Sequence, residues 1–262
     1  MGELGIPAPL SLAFAFALGA CIGSFTNVVV WRLPRGESLI RPGSHCPRCD
    51  APIPAWANVP ILSYLALRGR CRACDAHISA RYPLVEALTG LVFAALLWAH
   101  GPSARLFVDW ALAAALIAVT FIDIDHQIIP NSITYPGLAL GLALSFAAPQ
   151  LAVDWRDALL GVVGIGGALW AISAGYEKFS GKIGLGMGDV KLVAMLASFL
   201  GLEAALGVLI VGSLVGIAYG VAMLVWVRGG RETHIPFGPA LALAGLAFLF
   251  QPDLLDRFLV RP

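Results

Sequence analysis

Charge is what this chain has least of. Lys, Arg, Asp and Glu make up 13% of its 262 residues, against 59% hydrophobic residues, where a soluble domain carries about 25% charged. No single core can hide that much apolar surface, so the lipid bilayer is the expected solvent. An excess of either sign is missing too. Seventeen basic and 16 acidic side chains leave a net charge of +1, which gives no footprint for nucleic acid, and none is expected as a partner. Period-2 alternation is absent, which removes a closed barrel. Strands are then excluded except as minor pieces, because only helices or barrels satisfy the backbone in lipid. The opening "MGELGIPAPL" lacks a basic n-region, so the first apolar run is expected to stay in place rather than be cleaved as a signal. No internal repeat stands out.

What is present is a series of apolar runs, at roughly 10–31, 82–100, 106–122, 133–148, 157–174, 189–201, 203–227 and 238–250. A full helical span takes about 20 residues. The runs at 189–201 and 238–250 are short, and flanking residues or a re-entrant path would complete them. The expected fold is an all-α polytopic membrane protein of about eight transmembrane helices with a small cytoplasmic zinc-binding insertion. Its expected parts are a first transmembrane helix (1–31), the insertion (32–81) and a multi-helix membrane domain (82–262). Eight spans put 32–81 on one side with the turns 123–132, 175–188 and 228–237. That side holds eight Lys and Arg in 32–81, then Lys178, Lys182, Lys191, Arg228 and Arg231, or 13 of the 17, against Arg105, Arg156, Arg257 and Arg261 on the other. Basic loops stay in the cytoplasm, so the 32–81 side is expected there.

Residues 32–81, rich in Pro, Arg and Cys, are too few for much core of their own and need a staple. Cys46 and Cys49 form one CxxC and Cys71 and Cys74 a second, with 21 residues between the pairs. Thiolates three positions apart on a tight turn can point at one ion, and two such turns complete a tetrahedral site. The spacing falls just beyond the usual range. Two disulfides or a redox pair are the alternatives. Reducing cytoplasm weakens the first, and the lack of a thioredoxin-like βαβ pattern weakens the second. A four-thiolate zinc would be structural, since no coordination position stays open for chemistry. His45 and His77 lie close by, as a replacement ligand or as plain surface histidines. Cys21, inside the first apolar run, is expected to be a small packing residue.

Acids gather at the same membrane edge. The stretch "VTFIDIDHQIIPNSITYP" puts Asp123 and Asp125 at the cytoplasmic end of the third span, and "LGMGDVKLVAMLASFLG" puts Asp189 at the cytoplasmic start of the sixth. An ionisable group near hydrocarbon is a functional hypothesis by default. Two carboxylates brought together resist double ionisation and can share a proton, one acting as base and one as acid, as aspartic proteolysis requires. Gly184, Gly186 and Gly188 would let a substrate backbone approach Asp189 and would admit positive φ. The structural alternatives are that Asp189 caps its helix and that the other two are solvated at the interface. Periodicity does not choose between Asp123 and Asp125.

These residues resemble a known family. "GMGD" is similar to the GxGD motif of intramembrane aspartyl proteases, and "DIDHQIIPN" to the acid-to-IPN motif of bacterial type IV prepilin peptidases. "GSFTNVVVWRLP" (23–34), the two CxxC pairs, "NVPILSYLALRGRC" (58–71), "RYPLVEALTG" (81–90) and "IPFGPALALAG" (235–245) match in the same order. The resemblance implies an aspartic endopeptidase of the bacterial inner membrane, multi-pass, with its active site facing the cytoplasm and 82–262 as its peptidase domain. It assigns the catalytic pair to Asp123, seven residues before Pro130, and Asp189, and leaves Asp125 as a neighbour. It implies Cys46, Cys49, Cys71 and Cys74 as the family's cysteine tetrad. Type IV prepilins or pseudopilins would be the substrates, cut after a glycine that follows a short basic leader. It further implies N-methylation of the new terminus from S-adenosylmethionine, although no GxGxxG follows a strand here and the donor's residues are unassigned. Glu86, in "RYPLVEALTG", is a further acid near that edge, for leader binding or for pairing with Lys191 or Arg81. A transporter or channel is the rival class, since membrane acids also mark ion paths, but these acids gather at one face and not at the midplane. An assembly scaffold docking partners through the cysteine module, and a methyltransferase without peptidase activity, are two further rivals.

Overall fold

The computed structural model of the chain describes residues 7–181, 184–226, 236–252 and 254. Lys182, Arg228, Arg231, Arg257 and Arg261 of the charge count, Val227 at the end of one expected span, and Ile235 of "IPFGP" lie outside the described residues. The helices are α1 (Ala8–Arg32), α2 (Leu62–Ala66), α3 (Arg81–His100), α4 (Ala104–His126), α5 (Asn131–Ala147), α6 (Trp155–Leu160), α7 (Gly167–Ser180), α8 (Met187–Trp226) and α9 (Gly238–Phe250). A π-helical stretch, Gly161–Gly166, joins α6 to α7. Among the described residues there is no strand, only two isolated bridges, so the all-α expectation holds. Five helical segments are long and apolar enough to cross a membrane, which makes the chain a multi-pass membrane protein. α5, with 17 residues, and α9, with 13, are shorter.

The chain divides into two compact units, Met1–Ala118 and Val119–Pro262, the change falling inside α4. In the first unit α1 lies along α3. Lipid tails are as apolar as leucine, so helices in lipid gain little by excluding them and rely on close contact through small residues. A Cβ on Gly19 would stand 2.8 Å from the Gly90 Cα, and one on Gly23 would stand 2.7 Å from the Glu86 Cα. Polar ties close the pair: the Asn27 side chain donates to the Tyr82 carbonyl at 3.1 Å. Buried Arg32 donates to the carbonyls of Ser38 and Gly43, at 3.0 and 3.3 Å, which sets where the insertion leaves α1. Cys21, expected inside the packing, is exposed on α1, because the contact face is taken by the glycines at 19 and 23.

In the second unit α8 is not one rod. Gly201 interrupts it at φ 84°, ψ −178°, a conformation open essentially to glycine alone. The contacts give the direction of each half. Residues 207, 212 and 216 of the second half meet Phe248, Leu241 and Phe237 in turn, so it runs antiparallel to α9. The first half runs with α5, Gly137 against Met195 and Gly141 against Ser198. The chain therefore turns back at Gly201, as the separate apolar runs 189–201 and 203–227 anticipate. The break exposes the N–H of Leu202, and the Asp157 carboxylate accepts it at 3.1 Å. This is an N-cap delivered from another helix. Replacing Asp157 by Ala is expected to cost about 1 kcal/mol, as loss of a cap does. The melting temperature of the detergent-solubilised protein checks it, and an unchanged midpoint would show that the break needs no cap.

Candidate functional site: an acid pair and a four-thiol cluster

α4 ends at His126, and Gln127 just after it, at φ 53°, closes the last turn with its N–H on the Asp123 carbonyl at 2.9 Å. One turn back, Asp123 is 6% exposed. Its Oδ2 accepts the Gly238 N–H at 3.0 Å. The first N–H groups of a helix have no partner within the helix, so the start of α9 supplies a donor. A Cβ on Gly238 would lie 2.7 Å from the same oxygen, so only glycine permits this approach. Asp125, two residues on, is exposed, because a step of two on a helix turns a side chain by about 200°. Asp189 lies in the first turn of α8, its Oδ2 folded back to 2.9 Å from where a Gly186 Cβ would be, and its carboxyl lies within electrostatic range of Asp123. The structure thus places Asp189 within electrostatic range of Asp123 and leaves Asp125 exposed.

The glycines before Asp189 work by omission. None of Gly184, Gly186 and Gly188 has positive φ, contrary to the expectation of a left-handed turn there. Gly184 instead makes room for the Tyr176 ring and Gly188 for Ile129, so the missing side chains serve close packing. Two further contacts were not foreseen. Lys191 donates to the Asn131 side chain at 2.9 Å, with its ammonium 5.1 Å from the Tyr135 ring centroid. This ties "GMGDVK" to "IIPN". Gly238 received no role from the sequence either. The only trace there is a glycine before proline opening an apolar run, a helix-start pattern. Glu86 accepts the Ile61 N–H at 2.7 Å, a backbone partner that sequence reading had no means of naming.

The cysteines converge as well. The Sγ atoms of Cys46, Cys49, Cys71 and Cys74 all lie within 4.8 Å of one another, and among the described residues they are the only group of this kind. The Cys46 and Cys74 sulfurs are 3.8 Å apart, which matches the edge of about 3.8 Å that a tetrahedron with metal–sulfur bonds of ~2.3 Å requires. Each pair rides on the same turn. Asp50 and Asp75 take φ of 54° and 60°, Cys46 and Cys71 accept their N–H groups at 2.9 Å, and Ile53 and Ile78 close the loops on Ser44 and Gly69. "CPRCDAPI" and "CRACDAHI" are thus one unit used twice, a short repeat that the sequence reading missed. The Arg48 and Cys49 N–H groups pull the Cys46 thiol down to about 6. The Ala51 N–H favours a Cys49 thiolate, yet the neighbouring sulfurs and burial outweigh it and push that thiol up to about 12. Four thiols this close cannot all ionise alone, and the donor set suits a soft-ligand divalent ion.

Fold and site together define a class: a multi-pass helical membrane protein in which two acids, far apart in sequence, lie within electrostatic range of each other at helix ends. Comparison with known proteins narrows it. Residues 17–100 match the bacterial peptidase A24 N-terminal domain, and residues 110–221 the type IV leader peptidase family. The chain belongs to the type IV leader peptidase family. A protein of Neisseria gonorrhoeae named prepilin leader peptidase/N-methyltransferase is 38% identical over 98% of this chain and 96% of its own length. One of the same name from Myxococcus xanthus is 46% identical over 94% of this chain and 74% of its own. A third, from Stutzerimonas stutzeri, is 38% identical over 91% and 90%. No solved structure matches.

The contact at Gly238 is open to a double-mutant test. Gly238→Ala is expected to destabilise by about 1–3 kcal/mol, the usual range for overpacking. In an Asp123→Ala background the penalty should largely vanish, since the clashing carboxylate is gone. Equal penalties in both backgrounds, measured by thermal melts, would place the effect elsewhere.

Proposed function

We propose that this chain is an aspartic endopeptidase of the bacterial inner membrane. It removes the basic leader of type IV prepilins or pseudopilins at the cytoplasmic face and N-methylates the new terminus. Residues 82–262 carry the peptidase, and 32–81 form its metal-binding insertion. The observation that carries the reading is the acid pair: Asp123, held by the Gly238 N–H, within electrostatic range of Asp189. In this chemistry one carboxylate takes a proton from water as its oxygen attacks the scissile carbonyl. The other, protonated, donates to the carbonyl oxygen to give a gem-diol; as the C–N bond breaks it takes that proton back, and the first passes the proton it took from water to the leaving amine. Thirteen of the 17 basic residues on the acids' side of the expected topology support a cytoplasmic orientation.

The cysteine tetrad would hold one zinc ion, which closes the insertion and leaves no position for substrate. S-adenosylmethionine would supply the methyl group once cleavage has freed the amine. No strand is present among the described residues to precede a glycine-rich turn, so a dinucleotide-type cradle is not how this chain would hold the donor.

Two measurements test the proposal. Asp123→Asn and Asp189→Asn should each lower prepilin cleavage by at least about 10²-fold, since each removes a general acid or base worth 10²–10⁴. Asp125→Asn should cost far less, and the wild-type rate should be bell-shaped in pH, with two apparent constants that belong to the pair. A folded Asp189→Asn protein that cuts near the wild-type rate would sink the assignment. Metal analysis should find about one zinc per chain. Cys46→Ser should lower the zinc content and melting temperature before it touches the chemical step, and a metal-free wild type of equal stability would refute the structural zinc.

A further inference from the structure

The insertion carries large apolar side chains on its surface. Trp56, Leu62 and Leu65 are 58%, 66% and 64% exposed, with Val59 exposed beside them. They lie on the 3-10 turn Ala55–Asn58 and on α2. A patch like this marks a covered surface, and two observations say what covers it.

The first is depth. Ile61 is the centre of a tight turn (φ 62°, ψ −51°), with the Leu62 N–H on the Pro60 carbonyl at 2.6 Å. This conformation is strained for a β-branched residue. It aims the Ile61 N–H at Glu86, 2.7 Å away. Glu86 lies four residues inside α3 from Tyr82, about 6 Å along the axis. Tyr82 is exposed, and its carbonyl is held by Asn27, one turn before exposed Trp31 in α1. Exposed aromatics at the ends of spanning helices mark headgroup level. The peptide that opens α2 is therefore bonded to the span on the hydrocarbon side of that level.

The second is charge. Arg72 is stacked over Trp56 at 4.9 Å and Arg35 over Trp31 at 3.8 Å, and Arg68 is exposed just after α2. Apolar bodies with a cationic rim fit acyl chains beneath anionic headgroups.

We propose that residues 56–65 are an interfacial segment, with Trp56, Leu62 and Leu65 in contact with lipid at the headgroup–acyl boundary. The four-thiol module is then moored to the bilayer surface as well as joined to α1 and α3.

The test is hydroxyl-radical footprinting of the full-length protein in nanodiscs of phosphatidylethanolamine and phosphatidylglycerol, read by peptide mass spectrometry. After correction for intrinsic reactivity, Trp56, Leu62 and Leu65 should label several-fold more slowly than Ile40, which is 84% exposed and serves as control. A second measurement, which needs no charged substitution in α2, uses lipids with brominated acyl chains. The share of fluorescence lost in Trp56→Phe should be quenched by them. Labelling at the Ile40 rate, or a Trp56 signal indifferent to bromine, overturns the proposal. Protection that appears only when a prepilin peptide is added overturns it too, since the face would then belong to substrate.

Discussion

A carboxylate near the end of a membrane helix needs a hydrogen-bond donor, and Asp123 finds one in the first peptide N–H of α9. Much of the second unit follows from that contact. α9 has to begin at the end where α4 stops, its first residue has to lack a side chain, and the first turn of α8 has to come close enough for Asp189 to feel the Asp123 charge. The donor comes from the backbone, so it brings no charge that would neutralise the acid pair. A lysine or arginine in the same place would satisfy Asp123 and form an ion pair with it.

Small residues make such approaches affordable in lipid. Close contact has to replace the hydrophobic drive that assembles a core in water. Gly19, Gly23 and Gly90 do this between α1 and α3, and Gly137, Gly141, Gly207 and Gly212 around α8. Where polar groups enter, each has a partner. Ser145 bridges the carbonyls of Gly141 and Ser198, the Trp110 indole N–H meets the Phe93 carbonyl, and Asp109 is paired with Arg105 and His100. Among the described residues no buried side-chain polar atom lacks a hydrogen bond, as a low-dielectric surrounding demands.

The helices were legible because lipid reduces the choices to one, so apolar run length alone locates them. The break at residue 201 was legible for the same reason, as a gap between two runs. The four cysteines were legible from paired spacing. What the sequence hid was of another kind. The Gly238 donor is a backbone group, which no residue type advertises. Asp123 and Asp125 have the same chemistry, and only the turn of the helix buries one and exposes the other. The repeat within the insertion is eight residues long with five identical positions, two Cys, an Asp, an Ala and an Ile, too short to stand out beside the longer apolar runs.

Gly201 has a reach far beyond its own turn. A continuous 40-residue α8 would be a rod of about 60 Å, twice a hydrocarbon core of about 30 Å. It would deliver the chain to the face opposite the acids. By folding back, the chain adds one crossing and changes an odd number of passes into an even one between Asp189 and α9. The parity set by that single glycine decides on which face α9 starts, and so whether Asp123 has a donor at all.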